Sequence, residues 1–370
     1  MRSLSAFSGA FAGPAMLTLG LGAVGGALFN LLGLPLAWMI GAMCFTTVAA
    51  LAGAPLRGPE RLREVMITVL GLMLGSTFTP EVLDRLGQWV ISLTSLVLFV
   101  AAVAVSIGLV LHRYAGFGPI TAFFSATPGG LVIMVLTGGA LGGDERTISL
   151  MHSMRLLMTV LVIPFWFQLF HGYQPGGAAA AASGAEMTAV DAGVLGLCAV
   201  VGYWAAKRAR IPAHSLIGPM ILSALVHVSG FTAAQPPAEA VAVAQVVIGT
   251  AVGCRFAGIP VRRILDVLVT GAASTVFMMG AALVSALALA KTTGLPFPAL
   301  VLAFAPGGLA EMSLISLSMG IDTAFVATHH IVRILFLVAC APIAFRLLAR
   351  RLGVGEREGQ AEPPSRQDRG

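Results

Sequence analysis

The chain has 370 residues, of which 57% are hydrophobic and 10% charged, and its mean hydropathy is +0.92. This composition excludes a soluble globular domain and points to an all-α polytopic membrane protein. The net charge of +6 does not signal nucleic acid, because the basic residues stand singly or in threes between apolar runs and never line one helix face.

In chain order, apolar segments fall at about 13–33, 35–54, 65–79, 88–112, 119–140 and 147–170, then at about 191–206, 211–230, 240–254, 267–290, 298–319 and 323–345. Several, such as Gln88 to Leu111 and Val267 to Ala290, reach the roughly 20 residues that span a bilayer as a helix and are too long and continuous for buried strands. The first run continues past Leu36 without a small-residue cleavage site and a polar mature start, so no signal peptide is expected. Gly172 to Thr188 is rich in Pro, Gly and Ala and lacks Lys and Arg, as a linker would. Gly353 to Gly370 is too polar to pack and is expected to be a disordered tail. The expected organisation is a membrane repeat over 10–171, a linker over 172–188, a second membrane repeat over 189–350 and a tail over 353–370.

The two membrane sets are one unit written twice. Pro35, Gly41 and Met43 recur at Pro212, Gly218 and Met220, an offset of 177. From there the offset is 178: Gly71, Gly75 and Phe78 match Gly249, Gly253 and Phe256, and Pro128-Gly129-Gly130 match Pro306-Gly307-Gly308. Asp144, His152, Arg155 and Pro164 likewise match Asp322, His330, Arg333 and Pro342. Residues this unlike recur in one register only by duplication.

Charge decides how many times each unit crosses. If all six segments per half cross from a cytoplasmic N-terminus, the 20 Lys/Arg that remain after Arg155 and Arg333 divide 12 inside to 8 outside. If the Pro-Gly-Gly segments dip in and return, 18 fall inside and only Arg85 and Lys291 outside. The positive-inside tendency favours the second count. It gives two inverted repeats of about five transmembrane helices each, with a re-entrant Pro-Gly-Gly element per repeat and both termini cytoplasmic. A broken helix that crosses fully, compensated by a half-span elsewhere, is the other arrangement open to the sequence. Inverted repeats with interrupted elements near the midplane are the layout of many secondary transporters.

Candidate binding residues cluster at those breaks. In Pro306-Gly307-Gly308, Pro lacks an N–H and the glycines lack Cβ, so a helix restarting near Leu309 can leave its first N–H groups pointing into the gap, an anion site built from backbone. Thr127, Pro128, Gly129 and Gly130 form the matching break. His152 with Arg155, and His330 with Arg333, are three apart and share a helix face. The arginines are expected either to bind an anionic substrate or to hold the carbonyl ends of their own hairpins, and the histidines to relay protons. Glu311 has Ile133 as its counterpart and is the best carrier of a coupling proton or cation, with Arg333 its expected partner; the alternative is a surface Glu capping the helix. Asp144 and Asp322 are expected N-caps, and Gly71, Gly75, Gly249 and Gly253 close helix contacts.

Cys44, Cys198, Cys254 and Cys340 are scattered without CxxC spacing and are expected to be packing residues. No Walker loop, GxSxG or HExxH occurs, and apart from His329 and His330 the seven histidines do not cluster. No enzyme activity, metal or cofactor is therefore expected.

The duplicated Pro-Gly-Gly-Leu, the Gly/Asp turn and the His-x-x-Arg of the next helix resemble the AbrB-like integral membrane family of bacteria, over roughly residues 10–350. Members of that family carry labels naming a transcriptional regulator or an ammonia monooxygenase. The residues support neither: the DNA-binding swapped hairpin of soluble AbrB regulators is absent, and no His/Asp/Glu set supplies copper or iron ligands. More loosely, the five-plus-five arrangement resembles the bile acid and sodium/proton antiporter group, at the level of fold alone. The function expected is an ion-coupled inner-membrane carrier of a small anionic or zwitterionic metabolite. Its partners are the lipid bilayer and a small-molecule or ion substrate, with no nucleic acid; self-association is left open. The alternative is a membrane sensor or regulator that affects gene expression through a partner.

Overall fold

A computed structural model describes residues 2–172 and 187–352. The tail expected at Gly353 to Gly370, and the linker apart from Gly172, Met187 and Thr188, lie outside the described residues. Every regular element among the described residues is helical, as apolar segments in lipid require, because a helix satisfies its backbone polar groups within one segment. Among the described residues, six helices are long and apolar enough to cross a membrane, including Pro80–Tyr114, Glu145–His171, Ile264–Thr293 and Thr323–Phe345. Large apolar side chains such as Leu98, Val105, Leu109, Val276 and Val284 stand exposed on their outer faces, the surface that a bilayer, not water, would cover. The chain is a multi-pass membrane protein.

The first half comprises α1 (Arg2–Leu31), α2 (Ala37–Leu51), α3 (Glu60–Gly75), a short α4 (Pro80–Arg85) joined through a 3-10 turn to α5 (Val90–Tyr114), α6 (Pro119–Ala126), α7 (Leu131–Ala140) and α8 (Glu145–His171). The second half repeats that order as α9 (Ala189–Arg208), α10 (His214–Val228), α11 (Ala238–Gly253), α12 (Val261–Thr293), α13 (Phe297–Phe304), α14 (Leu309–Ser318) and α15 (Thr323–Leu352). Even unusual backbone repeats. Leu36 and Ala213, just before α2 and α10, are left-handed non-glycine residues at φ 44° and 51°, a conformation that costs an L-residue energy and persists only where its surroundings fix it.

The halves interlock instead of lying side by side. Helix α3 packs on α10, and α2 packs on α11. A Cβ on Gly71 would lie 2.5 Å from the Leu216 carbonyl oxygen, and Gly249 is held against the Met39 carbonyl in the same way. Glycine is required at these close approaches because helices in lipid gain their association from backbone-to-backbone packing. Ser223 adds a bond across the halves, its Oγ donating to Leu72 O at 2.8 Å. Since each half uses its third helix to grip the other's second, the arrangement has the reciprocity of a two-fold axis.

The expected breaks are present. Thr127 to Gly130 separates α6 from α7, and Ala305 to Gly308 separates α13 from α14. The first pair folds back on itself: the Asp144 N–H, beyond the end of α7, donates to Thr121 Oγ1 in the first turn of α6 at 3.0 Å, and Gly143 sits against Ile120. Both arms thus begin and end at one level. Asp144 then caps α8, accepting from the backbone N–H groups of Arg146 and Thr147, and Asp322 accepts from Phe325 N at the start of α15, as expected.

Candidate functional site

The two breaks meet at a cavity of about 460 Å³. Gly129, Gly130, His152 and Arg155 of the first half line it with Gly307, Gly308, Glu311 and Arg333 of the second. Thr127, Pro128 and His330 are buried beside it without lining it; Thr127 turns its Oγ1 back onto Phe123 O at 2.8 Å. Pro306 faces a separate apolar cavity of about 270 Å³ between α8, α12 and α13.

Helices α7 and α14 both start at this cavity, and neither Gly130 nor Gly308 provides a side-chain cap. Their first intrahelical bonds reach Met134 N and Met312 N, so the N–H groups of the residues before them have no partner within the helix. The glycines are needed for space. A Cβ on Gly307 would collide with the Met312 side chain, and one on Gly308 with the Glu311 carboxylate.

The histidines hold their hairpins identically. His152 Nε2 lies 2.9 Å from Phe124 O, and His330 Nε2 lies 2.9 Å from Leu302 O, each bonding a carbonyl 28 residues earlier. Arg155 Nη2 donates to His152 Nδ1 at 2.8 Å. Nδ1 is then the acceptor, so the proton of a neutral imidazole sits on Nε2, facing Phe124 O.

The arginines differ. Arg333 donates from Nη1 to Ala305 O at 2.7 Å and from Nη2 to Gly307 O, binding both sides of the second break. The equivalent carbonyls of the first break belong to Thr127 and Gly129, and Arg155 bonds neither: Thr127 O instead accepts from Gly129 N at 2.8 Å. Arg155 is 7% exposed, yet its Nε and Nη1 have no hydrogen-bond partner among the described residues. Of the two roles expected for these arginines, Arg333 performs the hairpin-holding one and Arg155 does not.

The expected Glu311–Arg333 pair does not form. Arg333 is turned to the carbonyls of its own hairpin, and Glu311 shares the cavity lining with Arg255 without an ion pair to it among the described residues. Glu311 is buried, at 4% exposure, in the first turn of α14, which excludes a surface cap.

Three ionisable residues of the cavity are not marked as site residues by the sequence: Arg63, Arg255 and His214. Arg63 and Arg255 were attributed to membrane topology, since both sit at the ends of apolar segments. Their counterparts are Val241 and Thr77, so the lack of a repeat partner that singled out Glu311 would have found them too. Arg63 Nε and Arg255 Nη1 are buried and have no partner among the described residues. His214 Nε2 stands 3.7 Å from Glu64 Oε1.

Fold and site together define a multi-pass helical membrane protein built from a duplicated broken-hairpin unit around a cationic cavity. The model of the AbrB family, described as transition state regulatory protein AbrB, matches residues 38–349. The chain belongs to this family. Among its relatives, the Bacillus subtilis (strain 168) protein named "Uncharacterized protein YhjN" is 30% identical over 348 residues, 88% of this chain and 91% of the relative. The Escherichia coli (strain K12) protein named "Putative regulator AbrB" is 22% identical over 317 residues, 85% of this chain and 91% of the relative.

Proposed function

We propose that the protein is a secondary carrier of a small anionic metabolite in the bacterial inner membrane, working by alternating access around its two Pro-Gly-Gly hairpins. One observation carries this most: four arginines, Arg63, Arg155, Arg255 and Arg333, converge with two uncapped helix N-termini on one cavity between the repeats. Helix N-termini and guanidiniums both favour an anion. The single lining carboxylate, Glu311, is the candidate for ion coupling.

The asymmetry between the halves supports the mechanism. Ala213, in the turn before α10, is exposed and lines the cavity, whereas its counterpart Leu36 is 4% exposed and packed in the core. One side of the pseudo-two-fold is open and the other sealed, as in a single state of an alternating-access cycle. With inverted repeats and cytoplasmic termini, the topology that puts 18 basic residues inside, Arg63, Arg255 and the turn before His214 face the cytoplasm, and so does the opening. Proteoliposome flux tests the proposal: uptake of an organic anion driven by a proton or sodium gradient is expected, and its absence across a broad metabolite panel would overturn it.

A regulatory role is favoured by the names of the family and of the Escherichia coli relative alone. Removal of residues 353–370 separates the two: a carrier keeps its flux, while a tail-based signaller loses its effect on gene expression.

A further inference from the structure

Two guanidiniums from opposite halves, those of Arg155 and Arg333, line the cavity together. Arg155 is near enough to Arg333 to repel its charge, and among the described residues neither forms an ion pair with Glu311. Arg333 has an internal task, since it holds Ala305 O and Gly307 O. Arg155 is braced by His152 on one side and presents Nε and Nη1, both buried and without a partner among the described residues, where it lines the cavity. An unpaired buried guanidinium is costly, and it persists where an anion completes it. The α7 and α14 N-termini bring partial positive charge to the same place. Glu311 shares the cavity, its carboxylate lying against Gly308 at the start of α14, so one lining carboxylate stands among the four guanidiniums of the described lining.

We infer that Arg155 is the residue that grips an anionic group of the substrate, and that the substrate is a small dianion, its two negative charges matching the Arg155–Arg333 pair. This rests on the carrier proposal above and adds to it a ligand chemistry and an unequal division of labour between repeat-matched arginines. Two carboxylates or one phosphate would satisfy the site equally.

The test uses the full chain, purified in detergent, with four probes: succinate and inorganic phosphate as dianions, acetate as a monoanion and glycine as a zwitterion. At least one dianion should raise the unfolding temperature and bind at least tenfold more tightly than acetate or glycine. In Arg155→Gln the ligand-induced shift should vanish while the ligand-free unfolding temperature holds or rises, because a buried unpaired charge has been removed. Arg155→Lys should restore part of the shift. Arg333→Gln, which strips two carbonyls of their donor, should lower the ligand-free unfolding temperature instead.

A full ligand shift in Arg155→Gln, or a fall in its ligand-free stability equal to that of Arg333→Gln, overturns the role assigned to Arg155. Acetate or glycine binding as tightly as the dianions overturns the substrate class. If wild type binds no dianion but still transports another solute in proteoliposomes, this inference fails and the carrier proposal stands. If it neither binds nor transports, both fail.

Discussion

Gly75 in the first half lies against the carbonyl oxygen of Met220 in the second, so close that a Cβ would sit 2.5 Å from that oxygen; Gly253 bears the same relation to Met43 O, at 2.7 Å. Ser223 Cβ and Thr46 Oγ1 would lie closer still, but the two carbonyls are backbone and cannot swing aside. Gly75→Ala and Gly253→Ala should each destabilise the fold by about 1–3 kcal/mol, the usual range for overpacking. Because they act at separate interfaces, the effects should roughly add. Thermal unfolding in detergent measures both, and a neutral result at either position would show that the contact yields.

Gly308→Ala tests the site without attacking the fold. The added methyl would meet the Glu311 carboxylate, the movable end of a side chain, so the helix can keep its place while the carboxylate leaves its own. If Glu311 couples an ion to transport, flux should fall roughly tenfold or more, since small displacements at a positioned group cost rate steeply. The yield of folded protein should stay near wild type.

Glu311→Gln keeps the size and removes the charge. Under the coupling role proposed for it, gradient-driven accumulation should disappear while exchange of substrate across the bilayer continues. Accumulation at the wild-type level would assign coupling elsewhere.

The open and sealed sides predict unequal reactivity. In a background lacking Cys44, Cys198, Cys254 and Cys340, a cysteine replacing exposed Ala213 should react with a membrane-impermeant maleimide far faster than one replacing buried Leu36. The reagent should reach Ala213→Cys in inside-out vesicles and not in intact cells. Labelling in intact cells would reverse the assigned orientation.

Sequence reasoning reached the repeat, the breaks, the caps at Asp144 and Asp322 and the glycine contacts, because each rests on a local rule: Pro and Gly for a break, Asp for a cap, small residues at four-residue spacing for a close helix pair. It failed where geometry between distant segments decides. Arg333 was expected to meet Glu311 because both are charged and close in sequence; the free carbonyls of Ala305 and Gly307 were the nearer partners. The different fates of Arg155 and Arg333 were invisible, since the sequence gives them one motif and only the packed state tells them apart. Arg63 and Arg255 were masked by a second sound rule, that basic residues at span ends report topology.

The interlock of α3 with α10 and of α2 with α11 also bears on how the protein is made. When α3 enters the membrane, the chain that will cover its glycine face is still well over a hundred residues from being synthesised. The first half must therefore wait, with its small-residue faces against lipid or a chaperone, until the second is threaded between its helices. Closure of these two interfaces is a late event shared by both halves, and a truncated chain ending after α8 lacks the partner that α2 and α3 pack against.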